Sequence, residues 1–292
     1  MLNRVRQSNL MAKSLFVLLI AIVSVFVFVN CYQAPVTGRS QLILLPTQQV
    51  DQMGVTAFQE VVKKEGVSNN PRYNEAVTRV ASRITKVSDT PKYNWEYRVI
   101  DGDDTINAFA LPGGKIGVYT GILPIAKSDA GLATVLAHEV GHVAAHHGAE
   151  RLSAGILAEL GAVGLSVALS NRDPGAVNAV MQAFGLGVTV GGILPFSRNQ
   201  ESEADRIGLI YMARAGYDPR ESVAFWQRMA EATKNKPRPP EFLSTHPGSG
   251  TRIANLQKWM PEAMYYYERS NKAQNSLISL RATESDQARN AD

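Results

Sequence analysis

His138-Glu139-Val140-Gly141-His142 sets two histidines four residues apart, with a glutamate directly after the first. On a helix such a pair shares one face about 6 Å apart, so both imidazoles can reach one metal ion. The glutamate then faces the remaining coordination position, where it can take a proton from metal-bound water. That is the chemistry of metal-assisted peptide hydrolysis. The setting supports it: Asp129 to His147 contains no proline and is rich in Ala, Leu and Val. Ser128 or Asp129 can cap the helix start, and Leu132, Val135, Leu136 and Val143 fall at helical spacing. The plain alternative is a core helix whose histidines only hydrogen-bond. A glutamate and two histidines in register inside an otherwise uncharged helix argue against it, because buried charge without a partner is costly and a metal supplies the partner.

A catalytic zinc commonly has three protein ligands and one open position. His146 lies eight residues past His138, about 12 Å along a continuous helix, too far to share a metal. His146 and His147 are expected at the surface or behind the ligands. The third ligand must come from elsewhere, and Glu201-Ser-Glu-Ala-Asp205-Arg206 offers it. At about 100° per residue Glu201 shares a face with Ala204, Gly208, Met212 and Ala215, a small face suited to packing on the zinc helix. Glu203 lies with Arg206, Ile210 and Arg214, where an i,i+3 charge pair is ordinary. Glu201 is the expected ligand, against the alternative of a solvated charge cluster. Asp205, one turn on, can accept the second ring N–H of a ligand histidine.

These residues need elements to hold them. A helix is expected from about Thr47 to Glu65, ended by Gly66, and another after Asn70-Pro71 with Tyr73, Val77, Val80, Ile84 and Val87 on a buried face. Asn94 to Ile100 alternates as a strand does. Asn107 to Gly121 reads as two short strands about a Pro-Gly-Gly turn, and Ala34 to Arg39 as an extended, turn-rich linker. The apolar stretch 152–196 reads as two closely packed helices beside the cleft or against a membrane. Interrupting polar residues leave no uninterrupted span of about 20 apolar residues. Helices are expected from Glu201 to Ala215, from Asp218-Pro219 through Met229, and from Thr251 to Trp259. From about Asn271 the polar tail is expected to be disordered. The fold class is α+β, mainly helical, with a small edge-strand sheet beside the H-E-x-x-H helix.

The set Asn107-Ala-Phe-Ala-Leu-Pro-Gly-Gly, His138-Glu-Val-Gly-His142, Glu201-Ser-Glu-Ala-Asp205 and Ser244-Thr-His-Pro247 with Arg252-Ile253 resembles the gluzincin peptidases. That group includes the CAAX prenyl protease, HtpX and the periplasmic BepA and LoiP, and the chain looks most like the short LoiP-type lipoproteins. The resemblance implies a zincin-like domain over about residues 71–260 with one zinc bound by His138, His142 and Glu201, and Glu139 as base. It gives His246 as an oxyanion donor or an inhibitory fourth ligand, with a surface-loop histidine as the plain alternative. Arg252 is expected to order that loop or pair with a carboxylate, or to be a solvated helix residue. Asn107, Ala108, Phe109 and Ala110 are expected to form an edge strand that binds substrate backbone, which suits unfolded or misfolded polypeptides. A zinc-supported chaperone is the alternative function.

The 292 residues carry a net charge of +4 with no concentrated basic stripe, which excludes a nucleic-acid binder on charge grounds. Arg4, Arg6 and Lys13 precede an apolar run from Leu15 to Val29, with the only cysteine, Cys31, just beyond it. Residues 1–30 read as a secretory signal before a lipidated Cys31, or as an uncleaved anchor. Either puts the body outside the cytoplasm on a membrane, with the bacterial outer membrane favoured; oligomers are compatible with the sequence. One cysteine allows no internal disulfide.

Overall fold

The computed structural model describes residues 31–169, 197–234, 241–246 and 251–289. The centre of the fold is helix α4, Asp129–Ala144, whose residues from Gly131 onward are all buried. A helix apolar all round has no solvent face and must be wrapped by neighbours. Ser128 starts it, its hydroxyl accepting from the Gly131 N–H at 3.1 Å, which satisfies one of the first-turn donors.

Before α4 come strands β1 (Cys31–Gln33) and β2 (Ser40–Leu42), helices α1 (Thr47–Glu65) and α2 (Pro71–Val87), strands β3 (Glu96–Ile100), β4 (Ala108–Leu111) and β5 (Lys115–Tyr119), and a short helix α3 (Leu123–Ala126). β5 lies central, parallel to β3 and antiparallel to β4, so β4 is a sheet edge among the described residues. Gly113 and Gly114, at φ 81° and 75°, turn the chain between β4 and β5, a left-handed path that glycine adopts without penalty. Helix α2 is capped by Asn70, whose side chain accepts from the Arg72 and Tyr73 N–H groups. It buries Val77, Val80 and Ile84 against the sheet and α4, while Tyr73 stays 36% exposed at its rim.

After α4 the chain forms α5 (His147–Leu169), α6 (Arg198–Arg214), α7 (Glu221–Thr233), α8 (Glu241–Thr245) and α9 (Arg252–Arg289). Ser197 and Gln200 close a reciprocal capping box at the start of α6. Helix α6 crosses α4 at very short range because both are glycines at the contact. A Cβ on Gly208 would sit 2.8 Å from the His138 backbone nitrogen, and one on Gly141 would sit 3.1 Å from the Ala204 carbonyl oxygen. Only backbone against backbone fits there.

One expectation is refined, one is overturned and one falls outside the described residues. The turn-rich linker expected over Ala34 to Arg39 is the turn of a hairpin, β1 pairing antiparallel with β2 and packing Gln41 into the protein, 2% exposed. The last helix does not stop at Trp259; it continues to Arg289 with Pro261 inside it, so the stretch from 271 expected to be irregular is helical. The buried Ala263 shows one reason, since packing beyond Trp259 holds a helix that composition alone does not announce. The second packed helix expected within 170–196 lies outside the described residues. Among the described residues no helix is long and apolar enough to cross a membrane.

Candidate active site

Three of the chain's five histidines meet one glutamate around a point between α4, α6 and α8. His138 and His142 come from α4, with their Nε2 atoms 3.1 Å apart. Glu201 reaches in from the first turn of α6, its carboxylate 3.4 Å from His138 Nε2 and 3.3 Å from His142 Nε2. His246, just past α8, brings Nδ1 to 3.3 Å from His138 Nε2 and 2.9 Å from Glu201 Oε1. All four residues are buried, and their ligand atoms lie within 4.8 Å of one another. Ligand atoms on a tetrahedral zinc with bonds of about 2.0–2.1 Å lie about 3.3–3.4 Å apart. The separations of 3.1–3.4 Å among His138, His142 and Glu201 come close to those edges, and the donor set of imidazoles with a carboxylate suits zinc.

Each histidine of α4 is held from behind. His138 Nδ1 lies 2.9 Å from Asp205 Oδ1. Asp205 Oδ2 accepts from Arg252 Nε at 2.6 Å, and the same guanidinium donates to Glu201 Oε2 at 2.6 Å. Arg252 is 4% exposed and lies 3.9 Å over the Trp226 ring, so the cation is fixed between two carboxylates and an aromatic face. Arg252 therefore pairs with carboxylates, as one of its expected alternatives had it. Its position sets a cation against both buried carboxylates, which offsets the cost of burying them.

His142 is held through a longer relay. Its Nδ1 lies 2.8 Å from His147 Nδ1, and His147 Nε2 lies 3.0 Å from Glu203 Oε2. With Nε2 of His142 facing the metal position, its Nδ1–H must donate to His147 Nδ1. His147 then donates from Nε2 to the carboxylate, so one tautomer of each ring satisfies the chain. Glu203 is also bonded by the Thr37 hydroxyl and by Arg39 Nε at 2.7 Å. Arg39 continues to Glu150 with bonds of 2.6 and 2.8 Å.

The relay corrects the sequence reading of Glu203 as a member of an ordinary i,i+3 pair. Glu203 is buried, and Arg206 pairs instead with Glu262 at 3.1 Å. His147 is also fully buried, because α4 ends at Ala144 and His146 takes a left-handed φ of 49°. That reversal returns His147 beneath His142. His146 stays out of the metal cluster, its ring edge-on to Tyr32 at 4.3 Å.

The electrostatics follow from these contacts. Burial alone would raise the Glu201 carboxyl, but hydrogen bonding from His138, His142 and His246 takes it far below the usual carboxylate range. Burial lowers His138, yet Asp205 and Glu201 outweigh it and raise the ring to about 10 in the protein's own field. His142, where burial dominates, is driven well below the ordinary value. Glu139 is 2% exposed, and burial pushes its carboxyl up. Among the described residues its Oε1 has no hydrogen-bond partner, and His246 Nε2 lies 3.4 Å away.

The strand expected to bind substrate runs past this centre. The Ala110 backbone N–H is directed at the Glu139 carboxylate. Ala108 is fully buried, and Phe109 turns its ring onto Phe58 and Tyr119 at 6.3 and 6.4 Å. Asn107 precedes the strand and bonds its own side chain to the Ala108 N–H at 2.9 Å. Of the four expected substrate residues, Ala110 lies nearest the chemistry.

An H-E-x-x-H helix completed by a glutamate from a second helix, over an open sheet edge, places the protein among the zinc metalloendopeptidases. Residues 71–260 match Peptidase family M48, and the chain belongs to that family. It is 36% identical over 260 residues to mitochondrial metalloendopeptidase OMA1 of Schizosaccharomyces pombe, covering 88% of this chain and 74% of that protein. It is 35% identical over 268 residues to the Saccharomyces cerevisiae protein of the same name, covering 85% and 74%. The beta-barrel assembly-enhancing protease of Escherichia coli is 29% identical over 227 residues, covering 76% and 46%. The resemblance to gluzincin peptidases thus holds at the level of the family. The expected address, a bacterial outer-membrane lipoprotein, does not survive. The mitochondrial proteins share more identity over more of the chain than the bacterial one does. A basic, apolar N-terminus is a feature that several membrane-targeted sequences have in common, so it could not separate these addresses.

Proposed function

We propose that this metalloendopeptidase cuts unfolded or misfolded polypeptides in protein quality control, with Glu139 as the general base. The observation that carries the reading is the juxtaposition of Glu139 with the open edge of β4. Main-chain pairing to an edge strand is independent of sequence and demands an extended substrate, which a folded protein rarely offers. Zinc held by His138, His142 and Glu201 supplies Lewis-acid polarisation of a carbonyl and acidifies bound water. Glu139, buried and with His246 Nε2 3.4 Å from its Oε1, accepts the proton of the attacking water and returns it to the leaving amine. Asp205 and Arg252 orient His138, and His147, Glu203 and Arg39 orient His142. In this proposal the apolar run Leu15–Val29 attaches the enzyme to a membrane.

A second reading concerns control of the same site. His246 Nδ1 lies 2.9 Å from Glu201 Oε1 and would offer zinc a fourth ligand, while its other nitrogen faces Glu139. In that arrangement His246 would have to move to admit substrate, which would make this conformation latent. Denatured casein tests the main reading. The purified full-length protein is expected to degrade it, to stop with a zinc chelator and to resume on adding zinc, while sparing a folded protein of similar size. Zinc-loaded protein that binds casein without cutting it would favour the chaperone alternative.

A further inference from the structure

Beside His142 lies a cavity of about 150 Å³ that the metal site does not use. One wall is β4, through Ala110 and Leu111; the opposite wall is Ile43, Leu45 and Val50, from the segment that precedes the family match. A cavity of about this volume with an aliphatic lining is known to hold a benzene-sized guest. Asp51 and Arg151 also line it, one acid and one base. Asp51 already accepts the Tyr93 hydroxyl at 2.8 Å. The lining therefore offers volume and apolar contact with no net charge to select a charged guest.

We propose that this cavity is the side-chain subsite next to the scissile bond, and that it selects a medium to large apolar residue such as Leu, Met or Phe. The inference rests on the peptidase reading and names its specificity. Two observations fix the location. His142 belongs both to the metal cluster and to the cavity wall. Ala110, whose N–H is directed at Glu139, lines the cavity too. A polypeptide extended along β4 projects alternate side chains to opposite faces. With its carbonyl held between Glu139 and the two histidines, the adjoining side chain on the His142 side enters the cavity. The N-terminal segment thereby becomes part of the substrate site. Its hairpin is tied down next to the cavity by Gln41, whose amide donates to the Ala145 carbonyl at 2.6 Å.

Gly148 gives a clean probe. It lines the cavity, and a Cβ built on it meets nothing within 4 Å, so a side chain can start there without displacing the backbone, and Gly148→Leu is expected to reduce the space. The experiment maps cleavage sites of a peptide library by mass spectrometry for the full-length wild type, Gly148→Leu and Val50→Ala, with zinc content and thermal melting measured on each. The expected wild-type result is enrichment of Leu, Met and Phe at one position flanking the cut. Gly148→Leu is expected to lower kcat/KM at those sites at least about tenfold relative to sites with Ala, the scale on which apolar pockets discriminate. Val50→Ala is expected to shift preference toward Phe and Trp. A wild type with no apolar preference, a preference for basic residues, or a preference unmoved in a folded, zinc-bound Gly148→Leu protein overturns the subsite while leaving the peptidase intact. A zinc-bound wild type that cuts nothing overturns the peptidase reading and the subsite with it.

Discussion

Gly208→Ala is the smallest change that tests whether the crossing of α4 and α6 sets the metal geometry. The added Cβ would lie 2.8 Å from the His138 nitrogen, 2.9 Å from the Ala137 carbonyl carbon and 3.0 Å from its oxygen. Ordinary contact begins near 3.4 Å, so α6 must retreat by about 0.6 Å, because backbone atoms cannot rotate aside as a side chain does. Overpacking of this kind costs about 1–3 kcal/mol, against which Ala recovers up to about 1 kcal/mol of helix propensity. A net loss of about 1–2 kcal/mol is expected in urea unfolding. The retreat also carries Glu201, two turns earlier on α6, away from His138 and His142, which it now approaches to 3.4 and 3.3 Å. A displacement of 1 Å at a reacting centre can cost about 100-fold, so about a tenfold loss in kcat/KM on casein is expected, with weakened zinc binding in a chelator competition. Gly155→Ala is the matched control, since its Cβ meets nothing within 4 Å; it should be neutral or stabilising by up to about 1 kcal/mol. Wild-type stability and zinc affinity in Gly208→Ala would refute the reasoning.

Three further outcomes are expected. Asp205→Asn and His147→Ala each remove the group that fixes a ligand histidine, and each should weaken zinc binding about 10–100-fold; an unchanged affinity in either would remove that relay from the account. The Glu203 carboxyl is pulled upward by burial, but His147, Thr37 and Arg39 overcome this and hold it at about 2, below the ordinary 4.5. Its contribution to stability is therefore complete above pH 4.5 and is lost as pH falls toward 2. In zinc-stripped protein the urea midpoint of the wild type should fall more steeply between pH 5 and 3 than that of Glu203→Gln, and parallel slopes would contradict it. His246→Ala should raise casein cleavage if His246 holds the fourth corner closed, whereas wild-type activity in that variant counts against latency.

The parts of the site that the sequence made legible are those governed by short-range periodicity. The H-E-x-x-H pair, the small face that selects Glu201 and the Pro-Gly-Gly turn that ends β4 all follow from spacing within one element. What escaped reading depends on what packs against an element from far along the chain. Glu203 sits on the side of α6 that looked solvent-facing, yet that side is covered by the β1–β2 hairpin, whose Arg39 lies 164 residues away in sequence. His147 was expected at the surface or behind the ligands, and spacing did not decide between them; the helix break at His146, a left-handed turn in a residue that rarely adopts one, brings it behind His142. The continuation of α9 past Trp259 was hidden because Ala263 is held by packing from elsewhere in the chain, which its own residues do not announce. The cavity was invisible for the same reason, since its two walls belong to segments that only the fold brings together.

The central claim is that His138, His142 and Glu201 hold a zinc ion while Glu139 does the proton transfer without being a ligand. Metal analysis and casein cleavage on purified Glu139→Gln beside wild type test it most directly. One zinc per chain is expected in both proteins, with cleavage reduced about 10²–10⁴-fold in the variant, the range for removal of a general base. A Glu139→Gln protein that cleaves casein at the wild-type rate, or one that loses its zinc, would contradict it.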